Sequence, residues 1–322
     1  MQAEPISFVI PAYNDAQGVR RHLDYFTATA RPAELIVVDD ASVDGLEQIV
    51  ADALLPDMVR LRYHRNSENR GPGPSRNTGL KMASAKWLMF LDADDLLVPG
   101  FFDYIALAPW DQGADFVLFK HHLCRDPRVL CSYDMHIDDN RFFSNMLASG
   151  FGGQTFRVTD IPSVLRIINF PWNKIYRTGF LRSTGIVFPD LRMHEDIRVH
   201  WQSCLRAKHF GILNWAPPLI HHIEEPDGQR ATNYKGPDRR VAFETLEDVF
   251  KEFKTHPLAD LMVPEMLEFA DDLLSWMIAQ APEMEPGLTE AAERLYASLG
   301  QRPGQIMATD MGEILSGADG RP

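Results

Sequence analysis

Cysteine is scarce in this chain, three in 322 residues, and no Cys-x-x-Cys pair is present. That spacing offers neither a zinc motif nor a disulfide framework, and the odd count fits a reducing cytoplasm. Positive charge is also short. Lys and Arg number 32 against 45 Asp and Glu, a formal net charge of −13, which disfavours binding to nucleic-acid phosphates or to an anionic membrane surface. No apolar run approaches 18 residues, and the first eleven residues lack a basic segment followed by an apolar one. A cytoplasmic protein without a transmembrane segment is therefore expected. Internal repeats and low-complexity tracts are absent too. The remaining composition, 45% hydrophobic and 24% charged, is that of an ordinary globular protein with ample core.

The most informative stretch is Phe90-Leu91-Asp92-Ala93-Asp94-Asp95, at the end of the apolar run Lys86–Leu91. Short continuous apolar runs read as buried strands. In open α/β sheets, ligands bind at the C-terminal ends of such strands. Carboxylates crowded there repel one another unless a positive group joins them, and a hard divalent cation is the usual one. Asp92 and Asp94 are two apart, so a kinked chain could aim both at one ion. The competing reading is an acidic helix cap at Asp95, with Pro99 just inside the helix.

The pattern along the chain alternates. Strands are expected at Ile6–Ile10, Leu35–Val38, Val59–His64, Lys86–Leu91 and Asp115–Lys120. Helices are expected between them, from Asp15 to Thr29, Val43 to Leu54, Ser75 to Ala83 and near 99–106. This rhythm calls for a mostly parallel sheet with helices on both faces. The polar clusters Ala12-Tyr13-Asn14-Asp15 and Asp39-Asp40-Ala41-Ser42 follow strands rather than precede them, which favours a ligand site. Residues 122–170 read as hairpins and loops. Strands are expected again at Pro171–Tyr176, His209–Leu213 and Leu219–Ile223, with helices at Thr178–Ser183 and from Glu195 to about Arg206. Glu224–Lys235 reads as a mobile loop.

From Pro237 onward two amphipathic helical stripes are expected, one through Ala242, Leu246, Val249, Phe250 and Phe253, the other from Leu267 to Ala281. Residues 236–322 carry 17 acidic and 7 basic residues, so most of the net charge lies there. The domain expectation is a catalytic domain over 1–235, with a nucleotide-binding half (1–121) and an acceptor half (122–235). An acidic helical extension (236–322) would follow, and its helices are a candidate homodimer contact.

Six of these stretches, in this order, resemble the family 2 glycosyltransferases with the GT-A fold. They are Ile10-Pro11-Ala12-Tyr13-Asn14; Val37–Gly45, containing Asp39-Asp40-Ala41-Ser42; Asn69-Arg70-Gly71 with Ser75–Leu80; Phe90–Asp95; Trp172-Asn173-Lys174; and His194-Glu195-Asp196. The resemblance covers about residues 5–225. It implies an α/β GT-A fold, a nucleotide-diphosphate sugar donor, Mn²⁺ or Mg²⁺, and glycosyl transfer to a hydroxyl with inversion. Carried over by position, Tyr13 would stack on the base, bordered by Pro11 and Ala12. Asp40 would accept from the base N3–H, which favours a UDP donor, and Arg76 would lie near the base and phosphates. Asp92 would hold the ribose and Asp94 the metal, with Ala93 between them. Asp95 would steer the donor sugar or the metal's waters. Asp196 would be the general base, with Glu195 the next candidate.

Each assignment has a plainer rival. Asp39-Asp40 could form a turn with Ser42 as helix cap, Arg76 could be a solvated helix residue, and Glu195-Asp196 could be only a cap. His222 is a candidate metal ligand, but a lone histidine is more often structural; His121 and His122 read as strand-end residues without a role. Two other functions compete with transfer: a nucleotide-sugar-binding regulatory protein, and a nucleotidyltransferase. The latter calls for a Gly-rich basic loop after the first strand, where this chain has Ala12-Tyr13-Asn14-Asp15-Ala16.

Overall fold

A computed structural model describes residues 5–124, 135–150, 154–223, 234 and 236–300. The expected loop Glu224–Lys235 therefore lies, apart from Tyr234, outside the described residues. The chain divides into two compact units, Met1–Tyr234 and Lys235–Pro322.

The first unit is built on strands Ile6–Ala12 (β1), Ala33–Asp39 (β2), Val59–Arg65 (β3), Trp87–Phe90 (β4), Leu96–Leu97 (β5), Phe116–Phe119 (β6), His121–Cys124 (β7), Thr155–Phe156 (β8), Lys174–Arg177 (β9), Phe210–Leu213 (β10) and Ile220–Ile223 (β11). The main sheet has the order β3-β2-β1-β4-β9-β6-β10-β8, and a small sheet has the order β5-β11-β7. β1 pairs in parallel with β2 and β4, and β2 with β3. Two strands depart from a parallel sheet: β9, antiparallel to both β4 and β6, and the edge strand β8, antiparallel to β10. β2 is buried along its whole length and β4 likewise, as covered faces require of continuous apolar runs. β3, at the sheet edge, is mostly half-exposed.

Helices Ala16–Thr29 (α1), Leu46–Ala51 (α2), Pro72–Met82 (α3) and Phe101–Ile105 (α4) connect the first strands. Asp15 caps α1 by accepting from the Gly18 amide at 2.9 Å. Phe26 of α1 meets Phe8 of β1 edge to face at 4.9 Å, with Phe101 and Phe102 of α4 packed around them. Because the strands run parallel, their carboxyl ends finish together: Leu91 N donates to Val9 O, Asp40 N to Ala12 O, and Asn66 N to Asp39 O. The chain steps outward from β1 to β2 and β3, then returns to the other side of β1 for β4. The order thus reverses between β1 and β4, and a crevice opens there.

Beyond residue 121 the sequence expectation needs correcting. Ile137–Ala148 is a helix (α5), not hairpin and loop; it buries Phe142, Phe143 and Met146 at helical spacing. Residues 171–173 form a 3-10 turn before β9 rather than the first half of a strand. Thr178–Thr184 (α6) and Glu195–Arg206 (α7) are helices as expected. Cys124 is disulfide-bonded and Cys204 is free and buried. That corrects the expectation of no disulfide, since spacing along a chain does not report the Cα separation on which a disulfide depends.

The second unit is helical as expected, and its described residues form three α-helices where two stripes stood out: Val241–Phe253 (α8), Ala259–Gln280 (α9) and Glu285–Ser298 (α10). α10 buries Leu288, Ala291, Ala292 and Leu295, a stripe made faint by its alanines. No helix among the described residues is long and apolar enough to cross a membrane.

One close approach fixes α3 on the sheet. A Cβ added at Gly79 would lie 2.2 Å from Cγ1 of Val9 on β1. Gly→Ala in a helix interior normally gains roughly 0.5–1 kcal/mol, whereas overpacking costs about 1–3 kcal/mol. Overpacking wins here, so Gly79→Ala is expected to lower the urea midpoint; an equal or higher midpoint refutes this packing.

Candidate active site at the carboxyl ends of the central strands

The acidic turn follows β4 directly. Asp95 N closes it onto Asp92 O at 3.2 Å, and carboxylate oxygens of Asp92, Asp94 and Asp95 lie within 4.8 Å of one another. The turn is held from below by α1. His22 is fully buried, and its Nε2 donates to the Asp92 carbonyl at 3.0 Å. Burial pulls the His22 pKa down to about 4, so the ring is neutral. A Cβ on Gly18 would fall 2.3 Å from the Ala93 carbonyl, so only glycine lets α1 close onto this turn.

Asp95 is wholly buried. Its Oδ1 accepts from His222 Nδ1 at 2.8 Å and from the Ile223 amide at 3.1 Å. Its Oδ2 is buried without a hydrogen-bond partner. Burial opposes charge on His222, but the carboxylates of Asp95, Asp94 and Asp92 outweigh it and raise its pKa to about 9. The ring stacks on Trp172 at 5.1 Å and lies against Phe170 at 4.9 Å. His222 is thus brought to the acidic turn, with one nitrogen committed to Asp95.

Arg76 joins distant parts of the site. It is buried on α3, its Nη2 donating to Asp92 Oδ1 at 2.6 Å and its Nη1 to Glu195 Oε1 at 2.5 Å. Its guanidinium also lies 5.3 Å from the centre of the Phe188 ring. The side chain expected near base and phosphates therefore spans from the acidic turn to the start of α7. Glu195 is consumed by that ion pair. Its neighbour Asp196 is half-buried, and burial, reinforced by the Glu195 charge, lifts its pKa to about 7 against the pull of Arg76 and Lys174. His194, which precedes α7, adopts a left-handed backbone with φ 58°, a conformation costly for a residue with a side chain.

At the ends of β1 and β2 the expected nucleotide residues form a pinned turn. The Asn14 amide donates to Ser42 Oγ at 3.0 Å, and the Val43 amide to Asn14 Oδ1 at 2.9 Å. Tyr13 stands beside them, 52% exposed, while Ala12 is buried and Pro11 half-buried. Asp40 faces the loop after β3 instead of open space. Its carboxylate accepts from Asn66 Nδ2 and from the amides of Arg70 and Gly71, four contacts of 2.7–3.1 Å. The Arg70 amide is shared between the two oxygens, so three donors from the loop engage both ends of the carboxylate.

Sequence reasoning passed over His22, Asn66 and Lys174 as individual site residues. Lys174 is fully buried on β9, donating to the Phe170 carbonyl at 3.0 Å and to Asn173 Oδ1, and burial lowers its pKa to about 8. A lysine inside an apolar strand was the available signal. For His22 and Asn66 no sequence signal exists, since each acts through a contact between elements.

Comparison with known proteins agrees with this architecture. The family model described as "Glycosyl transferase family 2" matches residues 7–180. The succinoglycan biosynthesis protein ExoO of Rhizobium meliloti is 38% identical over 95 residues, covering 29% of this chain and 26% of that protein. The poly(ribitol-phosphate) beta-N-acetylglucosaminyltransferase TarS of Staphylococcus aureus is 24% identical over 275 residues, 80% of this chain and 43% of TarS. This chain thus spans about a quarter of the length of ExoO and less than half that of TarS. The crystal structure of S. aureus TarS 1–349 in complex with UDP-GlcNAc superposes with a TM-score of 0.68 at 20% identity, covering 92% of this chain and 81% of that one. That likeness gives the GT-A fold. With more than half of its length matched by the family model, the chain belongs to glycosyl transferase family 2.

Proposed function

We propose that this chain transfers a glycosyl group from a nucleotide-diphosphate sugar, with UDP as the nucleotide, to an acceptor hydroxyl. The observation that carries the reading is the meeting of Asp92, Asp94 and Asp95 at the crevice between β1 and β4. Hard oxygen donors in this number suit Mn²⁺ or Mg²⁺, and the unpartnered buried Oδ2 of Asp95 fits such a cation better than a mere cap. Asp94 would hold the ion with Asp92 and Asp95 beside it, and His222 would keep Asp95 oriented. A cation there supplies stabilisation of the charge that develops on a diphosphate leaving group.

In this reading Tyr13 provides an exposed face for the base. Asp40 acts by holding the loop Asn66–Gly71 against the nucleotide rather than through its own free oxygens. Arg76 sets the distance between the acidic turn and α7, neutralising Asp92 and Glu195 so that neither repels a diphosphate. Asp196 takes the proton from the acceptor hydroxyl; a pKa near 7 suits a base working at neutral pH. Glu195, tied to Arg76, positions and does not abstract.

The direct test is release of free nucleotide diphosphate from a panel of nucleotide sugars with Mn²⁺ or Mg²⁺. A transferase leaks some hydrolysis, a pure binding protein releases nothing, and a nucleotidyltransferase makes pyrophosphate instead. Either of the last two outcomes overturns the proposal.

Three variants separate the roles. Asp94→Ala is expected to abolish cation-dependent UDP binding in calorimetry, and chelation with EDTA should do the same to the wild type. Equal UDP affinity with and without EDTA would remove the cation from this reading.

Asp196→Asn should lower turnover by ~10²–10⁴-fold with UDP affinity changed no more than a few-fold, since a base acts in the transition state. The wild-type rate should fall as pH drops through about 7, where Asp196 gains its proton, and the residual rate of the variant should lack that limb. A variant that melts earlier yet transfers at the wild-type rate would make Asp196 a helix cap.

Arg76→Met removes the charge between two carboxylates. Breaking a buried pair costs roughly 3–5 kcal/mol, so the urea midpoint should fall sharply; a loss below about 1 kcal/mol would mean that Arg76 is not the link between the motifs.

A further inference from the structure

The small sheet carries a second cluster that the proposed reaction does not use. β7 and β11 run in parallel with His122 opposite His221, and Cys124 is two residues beyond His122 on β7. Strand residues two apart share a face, so these three side chains leave one face of the sheet. His222, the next residue on β11, leaves by the other face toward Asp95. Strand parity thus separates this cluster from the acidic turn, although the two lie on the same strand.

The geometry is specific. His122 Nδ1 is 3.4 Å from His221 Nδ1, and Cys124 Sγ is 3.5 Å from that same nitrogen. The two rings stack with centroids 5.2 Å apart. A tetrahedral ion with Zn–N of about 2.0–2.1 Å and Zn–S of about 2.3 Å holds neighbouring nitrogens about 3.3 Å apart, and nitrogen from sulfur about 3.6 Å. The observed separations are those of two edges of such a tetrahedron. Burial lowers the pKa of both imidazoles and keeps them neutral, as ligands must be. One element blocks the set: Cys124 is disulfide-bonded, and the thiolate is the ligand form.

We propose that His122, His221 and reduced Cys124 bind a borderline-soft divalent transition ion of the zinc type, at a site opened by reduction of the Cys124 disulfide. A dithiol reductant gives two electrons and two protons, the S–S bond breaks into two thiols, and the reductant closes into its own cyclic disulfide. Cys124 then passes its proton to solvent as the sulfur–metal bond forms. The ion class follows from the donors, since two imidazoles and a thiolate select zinc-like ions over Mg²⁺.

Cobalt(II) added to the full chain reads this site directly, because only a thiolate ligand gives a sulfur-to-cobalt charge-transfer band in the near ultraviolet. The protein is reduced with dithiothreitol, freed of it by gel filtration under nitrogen, and titrated with Co²⁺. The band is expected in the reduced protein, absent from the oxidised one, and removed by Zn²⁺. Cys204→Ser should retain it and Cys124→Ser should lose it. His221→Ala should raise the cobalt midpoint at least ten-fold, which keeps the test open if Cys124→Ser does not fold by circular dichroism. No band in the reduced wild type, a full band in folded Cys124→Ser, or an unchanged midpoint in His221→Ala would each overturn the site.

Discussion

A guanidinium buried between two carboxylates holds the centre of this protein together. Arg76 reaches from α3 to Asp92 on the acidic turn and to Glu195 at the start of α7, elements more than a hundred residues apart in sequence. Arg76 and Glu195 are buried and Asp92 is partly so, and burying ionic groups is expensive unless each is paired and hydrogen-bonded. What such an arrangement yields is geometric definition: a planar fork with two fixed directions leaves little freedom in the separation of its partners. The acidic turn and the proposed base on α7 therefore keep one spacing, set by one side chain.

Around that link the site is assembled in shells that each solve a local problem of burial. His22 supports the Asp92 carbonyl while staying neutral, and His222 supports Asp95 while charged. The difference arises because the first faces a carbonyl dipole and the second a carboxylate. Asp40 spends its oxygens on the amides of Arg70 and Gly71 in the loop after β3, which gives those N–H groups an ionised acceptor. These contacts also explain why acidic residues predominate at the strand ends: every one that is buried faces a donor from another element.

Much of the fold was legible in the chain. Continuous apolar runs ending in Asp39-Asp40 and in Asp92-Ala93-Asp94-Asp95 placed the strands and their functional ends, since a strand covered on both faces can contain little else. Where apolar spacing was diluted, the reading failed. α5 carries Asp138, Asp139 and Asn140 in its first turn, which masks its helical spacing; the helical tail is as expected, but α10 fills its stripe partly with alanine and does not stand out as a separate stripe. The antiparallel insertion of β9 had no local signal at all, because strand direction is a property of the path between strands.

The sequence by itself determined the residue types at the strand ends, the order of the motifs and hence the family, because these depend on covalent spacing and on local periodicity. Only the tertiary structure decided what each of those side chains faces. It set Arg76 between Asp92 and Glu195, brought the loop after β3 onto the carboxylate of Asp40, and gave His222 to Asp95. It also brought His122, Cys124 and His221 to one face from strands about a hundred residues apart. Hydrogen bonds and ion pairs act over about 3 Å, and separations on that scale are set by sheet register and helix packing, which no spacing along the chain records.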